Sequence, residues 1–173
     1  MIFQWSINWL FVKSLTPTPI KIVLIHKMEN LKEKIQFIID LYKSHKLEKS
    51  EILSKKLIES HPKEVFIYNL LGLILSSQNK DVEAINYYEK GLNLNSKFHE
   101  IYNNLGNLII KKKFDENKKK AEELFNKSIS INNKIPETYN NLGNLYKNDN
   151  KNQKAIINYK KALEINPNFY FAH

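Results

Sequence analysis

The sequence predicts an all-α fold, an α-solenoid of stacked antiparallel helix hairpins, and three observations carry that prediction. Asn-Leu-Gly-Asn occurs at Asn104–Asn107 and again at Asn141–Asn144, each time within Tyr-x-x-Leu-Gly, and Tyr68–Gly72 is a looser copy. Alignment on the glycine gives units 65–98, 99–135 and 136–169, of 34, 37 and 34 residues. The second half of each unit pairs a small residue with an aromatic four positions on: Ala84 with Tyr88, Ala121 with Phe125, Ala155 with Tyr159. Small and apolar residues at i, i+3, i+4 and i+7 mark amphipathic helices. One such hairpin cannot cover its own apolar face, so a fixed period of this length implies neighbours stacked around a shared core.

Taken in order, the elements differ in character. Residues 1–27 stand outside the repeat: Met1–Val12 is mostly apolar and holds both tryptophans, a Thr-Pro-Thr-Pro break follows, and Ile20–Ile25 is a second short apolar run. Neither run reaches the roughly 20 residues that span a bilayer. Lys13 follows the apolar run instead of preceding it, and no Ala-x-Ala cleavage site follows, so a secretory signal is not indicated. The expectation is that translation starts at Met28 and that 1–27 is untranslated or disordered. Residues 31–64, one period upstream of the first full unit, end near Pro62 but lack the glycine and alanine, while Phe37, Ile38, Leu41, Leu53 and Leu57 keep helical spacing. This reads as a degenerate terminal repeat that caps the stack.

In units 65–98, 99–135 and 136–169, Gly72, Gly106 and Gly143 and the alanines opposite them are expected to let the two backbones of each hairpin approach closely. Asn148-Asp149-Asn150 has turn chemistry. The three extra residues of the middle unit fall in Lys111–Lys120, where they are expected to lengthen a turn and form a solvated basic knob. Residues 170–173 open the first helix of a further repeat, so the chain reads as truncated there.

The unit 136–169 keeps Tyr139, Leu142, Gly143, Tyr146, Ala155, Tyr159, Ala162 and Pro167 at spacings that resemble the tetratricopeptide repeat family. The resemblance implies two antiparallel helices per repeat, a right-handed superhelix, and a concave groove lined mainly by first helices. It places Asn103, Asn104, Asn107, Asn140, Asn141 and Asn144 in that groove, with Lys111 and Lys147 nearby. Asn104 and Asn141, just before the Leu-Gly pair, match the position of the asparagine ladder in O-GlcNAc transferase-type repeats, where amides hold a client backbone. An amide offers donor and acceptor to a peptide group whatever the client's side chains. The first full unit has Leu70 there, so the implied ladder has two rungs. The carboxylate clamp of chaperone-binding repeats needs cations where this chain has Glu100, Asn103, Glu137, Asn140 and Asn141, which disfavours an acidic-tail client.

Composition narrows the remaining classes. The net charge of +9 raises nucleic acid as a partner, but all 27 basic residues are lysine. Arginine supplies the bidentate and stacking contacts that lysine lacks, so nucleic acid is not the expected partner, and the apolar runs are too short for a membrane span. The chain has no cysteine, which excludes disulfides and thiolate metal sites, and its five histidines show no i, i+4 pairing. All four glycines sit at repeat positions, leaving none for a phosphate loop. No cofactor, metal or catalytic residue is therefore expected. The reading is a non-catalytic, cytoplasmic scaffold that binds an extended protein segment in the concave groove. Its alternative is a substrate-recognition arm of a larger glycosyltransferase of the O-GlcNAc transferase type, or of a sulfotransferase.

Overall fold

The computed structural model describes residues 30–111 and 115–169. The expectations for residues 1–27, for the centre of the basic knob and for 170–173 lie outside them. The described residues form helices only: α1 (Leu31–Lys43), α2 (Leu47–Ser60), α3 (Val65–Ser77), α4 (Asp81–Leu94), α5 (His99–Lys111), α6 (Asp115–Ile131), α7 (Pro136–Asn148) and α8 (Asn152–Ile165). Consecutive helices pair as α1/α2, α3/α4, α5/α6 and α7/α8, and each pair stacks on the next. The fold is an all-α helical-repeat solenoid.

The repeated glycine works differently from the expected approach of two backbones. A Cβ on Gly72 would lie 2.5 Å from Tyr88 Cε1, on Gly106 2.6 Å from Phe125 Cε1, and on Gly143 2.6 Å from Tyr159 Cε1. Each glycine thus makes room for the aromatic ring four residues past the alanine of the second helix. Tyr88 and Phe125 are sealed in the core, and burial pushes the Tyr88 phenol well above its ordinary pKa. The small residue three further on faces the next repeat instead. A Cβ on Gly91 would meet Ile101 Cδ1 at 2.5 Å, and Ser128 Oγ, at the same place, lies 3.4 Å from Thr138 Oγ1 of the next repeat while donating to the His99 carbonyl of its own.

Turn chemistry recurs with the period. His45, Asn79 and Asn150 take positive φ of 54°, 61° and 56° between the helices of their hairpins, a region that Asn tolerates better than most residues. After the second helices, Asn95, Asn132 and Asn166 each accept from the backbone N–H two residues on. The three-residue insertion lengthens a helix, not a turn. Three residues separate α5 from α6, as they do α3 from α4 and α7 from α8, whereas α6 has 17 residues against 14 in α4 and α8. Residues 115–120 contain no helix breaker, so the extra chain is absorbed at 1.5 Å per residue along the axis. The knob is also partly engaged: Lys111 donates to the Ser76 carbonyl and to Asn79 Oδ1, and Lys118 to Asp149.

The two ends of the stack are unlike. Ile67, Leu70 and Ile74 of α3 bury one face against the preceding hairpin, and the equivalent face of α1 is Glu33, Gln36 and Asp40, all exposed. At the other end, α8 exposes Ile156, Ile157 and Leu163. Between α2 and the turn preceding α4, Glu51 is nearly buried and accepts from Lys55 at 2.6 Å, Lys80 at 2.7 Å and Gln78 at 2.9 Å. Burial alone raises its pKa, but these three donors together outweigh it and hold the carboxyl down at about 2.

Candidate functional site

Along each first helix, positions spaced three, four and three apart share one face. On α3 they are Phe66, Asn69, Leu73 and Ser76; on α5, Glu100, Asn103, Asn107 and Ile110; on α7, Glu137, Asn140, Asn144 and Lys147. Side by side, these faces form a surface that is apolar toward α1, where Ile35, Ile39 and Tyr42 continue it, and rich in amides and acids toward α7. A cleft of about 300 Å³ opens in this surface, lined by Asn69, His99, Glu100, Asn103, Asn104, Ile135, Glu137 and Thr138.

The asparagines are joined in pairs across the hairpin junctions. Asn104 Nδ2 donates to Asn69 Oδ1 at 2.9 Å, and Asn141 Nδ2 donates to Asn103 Oδ1 at 2.9 Å. In each rung, the residue two before the glycine of one repeat meets the residue three before the glycine of the repeat preceding it. The first junction has Ile35 and Leu70 at these positions, packed in one apolar cluster. Counting only residues like Asn104 stops the ladder at Leu70, but Asn69 supplies the missing partner. The signal was present in the sequence as the Tyr-Asn pairs Tyr68-Asn69, Tyr102-Asn103 and Tyr139-Asn140.

Asn140 is the open end of this series. Its Oδ1 is buried without a hydrogen-bond partner, whereas Asn69 and Asn103 receive a donor from the following repeat. Each rung uses one end of each amide. Among the described residues, Asn69 Nδ2 with Asn104 Oδ1, and Asn103 Nδ2 with Asn141 Oδ1, are left without a hydrogen-bond partner, one donor and one acceptor per rung.

The other sequence-predicted residues have separate fates. Asn107 and Lys147 are exposed, and the side chain of neither makes a hydrogen bond among the described residues. Asn144 Oδ1 accepts from the Tyr159 hydroxyl at 2.7 Å, tying α7 to α8. Lys111 is held at the turn of the preceding hairpin, as described above, with Asp81 3.9 Å away. The aromatics divide as well: Tyr88 and Phe125 are core, while Tyr68 and Tyr102 donate their hydroxyls to the carbonyls of Pro62 and Ser96, fastening the links between hairpins. Burial and the hydrogen bond to Glu122 push the Tyr146 phenol up to about 12.

At the rim of the cleft, His99 Nε2 lies 3.1 Å from Asn132 Nδ2 and its Nδ1 3.4 Å from Glu100 Oε2. A neutral ring protonated at Nδ1 satisfies both neighbours. Among the described residues, no group of three metal-ligating side chains comes together, and no helix is long and apolar enough to cross a membrane.

Residues 67–98 and 136–169 each match a model of the tetratricopeptide repeat. Among solved structures, TTC0263, described as a thermophilic TPR protein in Thermus thermophilus, is 17% identical with a TM-score of 0.74, covering 86% of this chain and 80% of that one. MamA from Desulfovibrio magneticus RS-1 is 18% identical with a TM-score of 0.63, covering 79% of this chain and 75% of that one. PilF of Pseudomonas aeruginosa is 19% identical with a TM-score of 0.70, covering 79% of this chain and 61% of that one. At these identities the likeness is one of fold alone. No curated protein matches the chain significantly. Tetratricopeptide repeats are generally non-catalytic and mediate protein–protein interaction.

Proposed function

We propose that this chain is a scaffold that holds an extended protein segment along the first helices of its repeats, with the two asparagine rungs as the backbone-reading element. The observation that carries the reading is the unused donor and acceptor on each rung. A peptide unit presents one N–H and one C=O, and a rung offers the complementary pair, already oriented by the hydrogen bond between its two amides. Pre-orientation lowers the ordering cost of binding, and recognition of main-chain groups tolerates many client side chains. Asn107, Asn144 and Lys147 add polar contacts along the same face.

The ladder implied by resemblance to O-GlcNAc transferase-type repeats is carried here by Asn104 and Asn141, whose nitrogens are committed to Asn69 and Asn103. In this proposal a client is therefore read by pairs of asparagines, not by single ones. No observation favours an enzyme arm over a scaffold.

The first junction of the chain suggests the test. Replacing both rungs by its apolar pair, with Asn69→Ile and Asn104→Leu in one and Asn103→Ile and Asn141→Leu in the other, is expected to preserve helicity while abolishing client capture. Retained capture by a folded quadruple variant would refute the role of the rungs.

A further inference from the structure

We propose that the cleft selects a client bearing a lysine or arginine side chain, which sits between Glu100 and Glu137 while an apolar client side chain packs on Phe66 and Leu73. This rests on the groove reading above and specifies the chemistry of the segment. Glu100 and Glu137 occupy equivalent positions in α5 and α7 and line the same cleft. Among the described residues, five acids pair with lysine: Glu51 with Lys55 and Lys80, Asp81 with Lys111, Glu83 with Lys55, Asp149 with Lys118 and Lys151, and Glu164 with Lys161. Glu137 has no ion pair among the described residues, and Glu100 has only His99 at 3.4 Å.

A buried polar group points to the same place. Asn69 is more than nine-tenths buried (8% exposed) and lines the cleft; its Oδ1 accepts from Asn104, and its Nδ2 makes no hydrogen bond among the described residues. It is poised to donate to the carbonyl of a residue whose cationic side chain lies between the two glutamates. An ammonium carries three donors and no acceptor, and the wall offers the two carboxylates and Asn104 Oδ1.

The apolar half of the recognition comes from the same row. Phe66 stands one repeat before Glu100 and is 40% exposed, large for a phenylalanine with no partner over it. Neighbouring first helices lie roughly 10 Å apart, and extended chain advances about 3.3 Å per residue. The apolar and cationic residues of the client therefore stand about three to five positions apart.

The experiment uses the whole chain and short fluorescein-labelled peptides of Gly and Ser that carry one Phe and, four positions away, Lys, Gln or Glu, made in both orders. Fluorescence anisotropy is expected to show the Phe/Lys peptide in one order binding about fivefold more tightly than its Gln counterpart, with the Glu peptide weakest. Added salt should shrink that difference. The difference should vanish in Glu100→Gln/Glu137→Gln and invert in Glu100→Lys/Glu137→Lys; neither glutamate is buried, so the circular dichroism should stay unchanged.

Equal affinity for Lys, Gln and Glu peptides, with all three weakened by the apolar rung variant, would overturn the charge selection and leave the groove reading standing. Binding of none of the peptides would overturn both.

Discussion

Replacing Asn104 by alanine tests whether the rungs belong to the fold as well as to the site. Asn104 donates at 2.9 Å to Asn69, which is only 8% exposed, so truncation strands an acceptor in a nearly buried position. An unpaired buried polar group costs about 1–3 kcal/mol, and water reaching the cleft favours the lower half of that range. A loss of about 1–2 kcal/mol, read by urea denaturation followed by circular dichroism, is the expectation for Asn104→Ala. The pair Asn69→Ile/Asn104→Leu copies the junction already made by Ile35 and Leu70, and should be as stable as the parent or more so. The alanine double variant should fall short of the sum of its single changes by about 1 kcal/mol, the coupling of residues in direct contact. Additive single effects, or an Asn104→Ala chain as stable as the parent, would refute the rung as a structural bond.

Further outcomes follow from packing and charge. Gly106→Ala places a Cβ 2.6 Å from the sealed ring of Phe125; overpacking of about 1–3 kcal/mol against a helix-propensity gain near 1 kcal/mol gives a net loss. The added change Phe125→Leu should recover part of it, as thermal melts of the single and double variants would show. Glu51 has its carboxyl lowered from 4.5 to about 2, so its contribution is fully present above pH 4.5 and is lost as pH falls toward 2. That shift corresponds to about 3 kcal/mol, and denaturation curves at pH 6 and pH 2 should show the parent losing about that much more than Glu51→Gln. Asn140→Leu removes an acceptor that has no partner, so it should cost under about 0.5 kcal/mol in the same assay, less than Asn103→Ala, which strands Asn141.

The hairpin architecture was legible because its causes are local and periodic. Gly106, Ala121 and Phe125 form one packing unit, and the spacing that joins them is written in the chain. The placement of the insertion was not legible. Lys111–Lys120 reads as a polar turn by composition, yet lysine, glutamate and asparagine are compatible with helix, and docking of α6 against α5 decides the matter. The candidate site was half legible. The residues before Leu-Gly were visible as a repeated amide position, but a rung joins positions that differ by one in consecutive repeats, because stacked helices are offset. That offset is tertiary and hides Asn69 beside Leu70. Exposure also fails to follow residue type: Lys111, expected near the groove, is a latch on the preceding turn, whereas the aromatic Phe66 is partly open.

The measurement that bears most directly on the central claim is a titration of ¹⁵N-labelled protein with the Phe/Lys peptide, following the side-chain amide resonances of Asn69, Asn103, Asn104 and Asn141. The account predicts saturable shifts of the Asn69 and Asn103 NH₂ signals, whose protons are left open to a client. The Asn104 and Asn141 protons bonded within the rungs should move least. Saturation with all four amides unmoved, and shifts confined to a surface away from α3, α5 and α7, would contradict it.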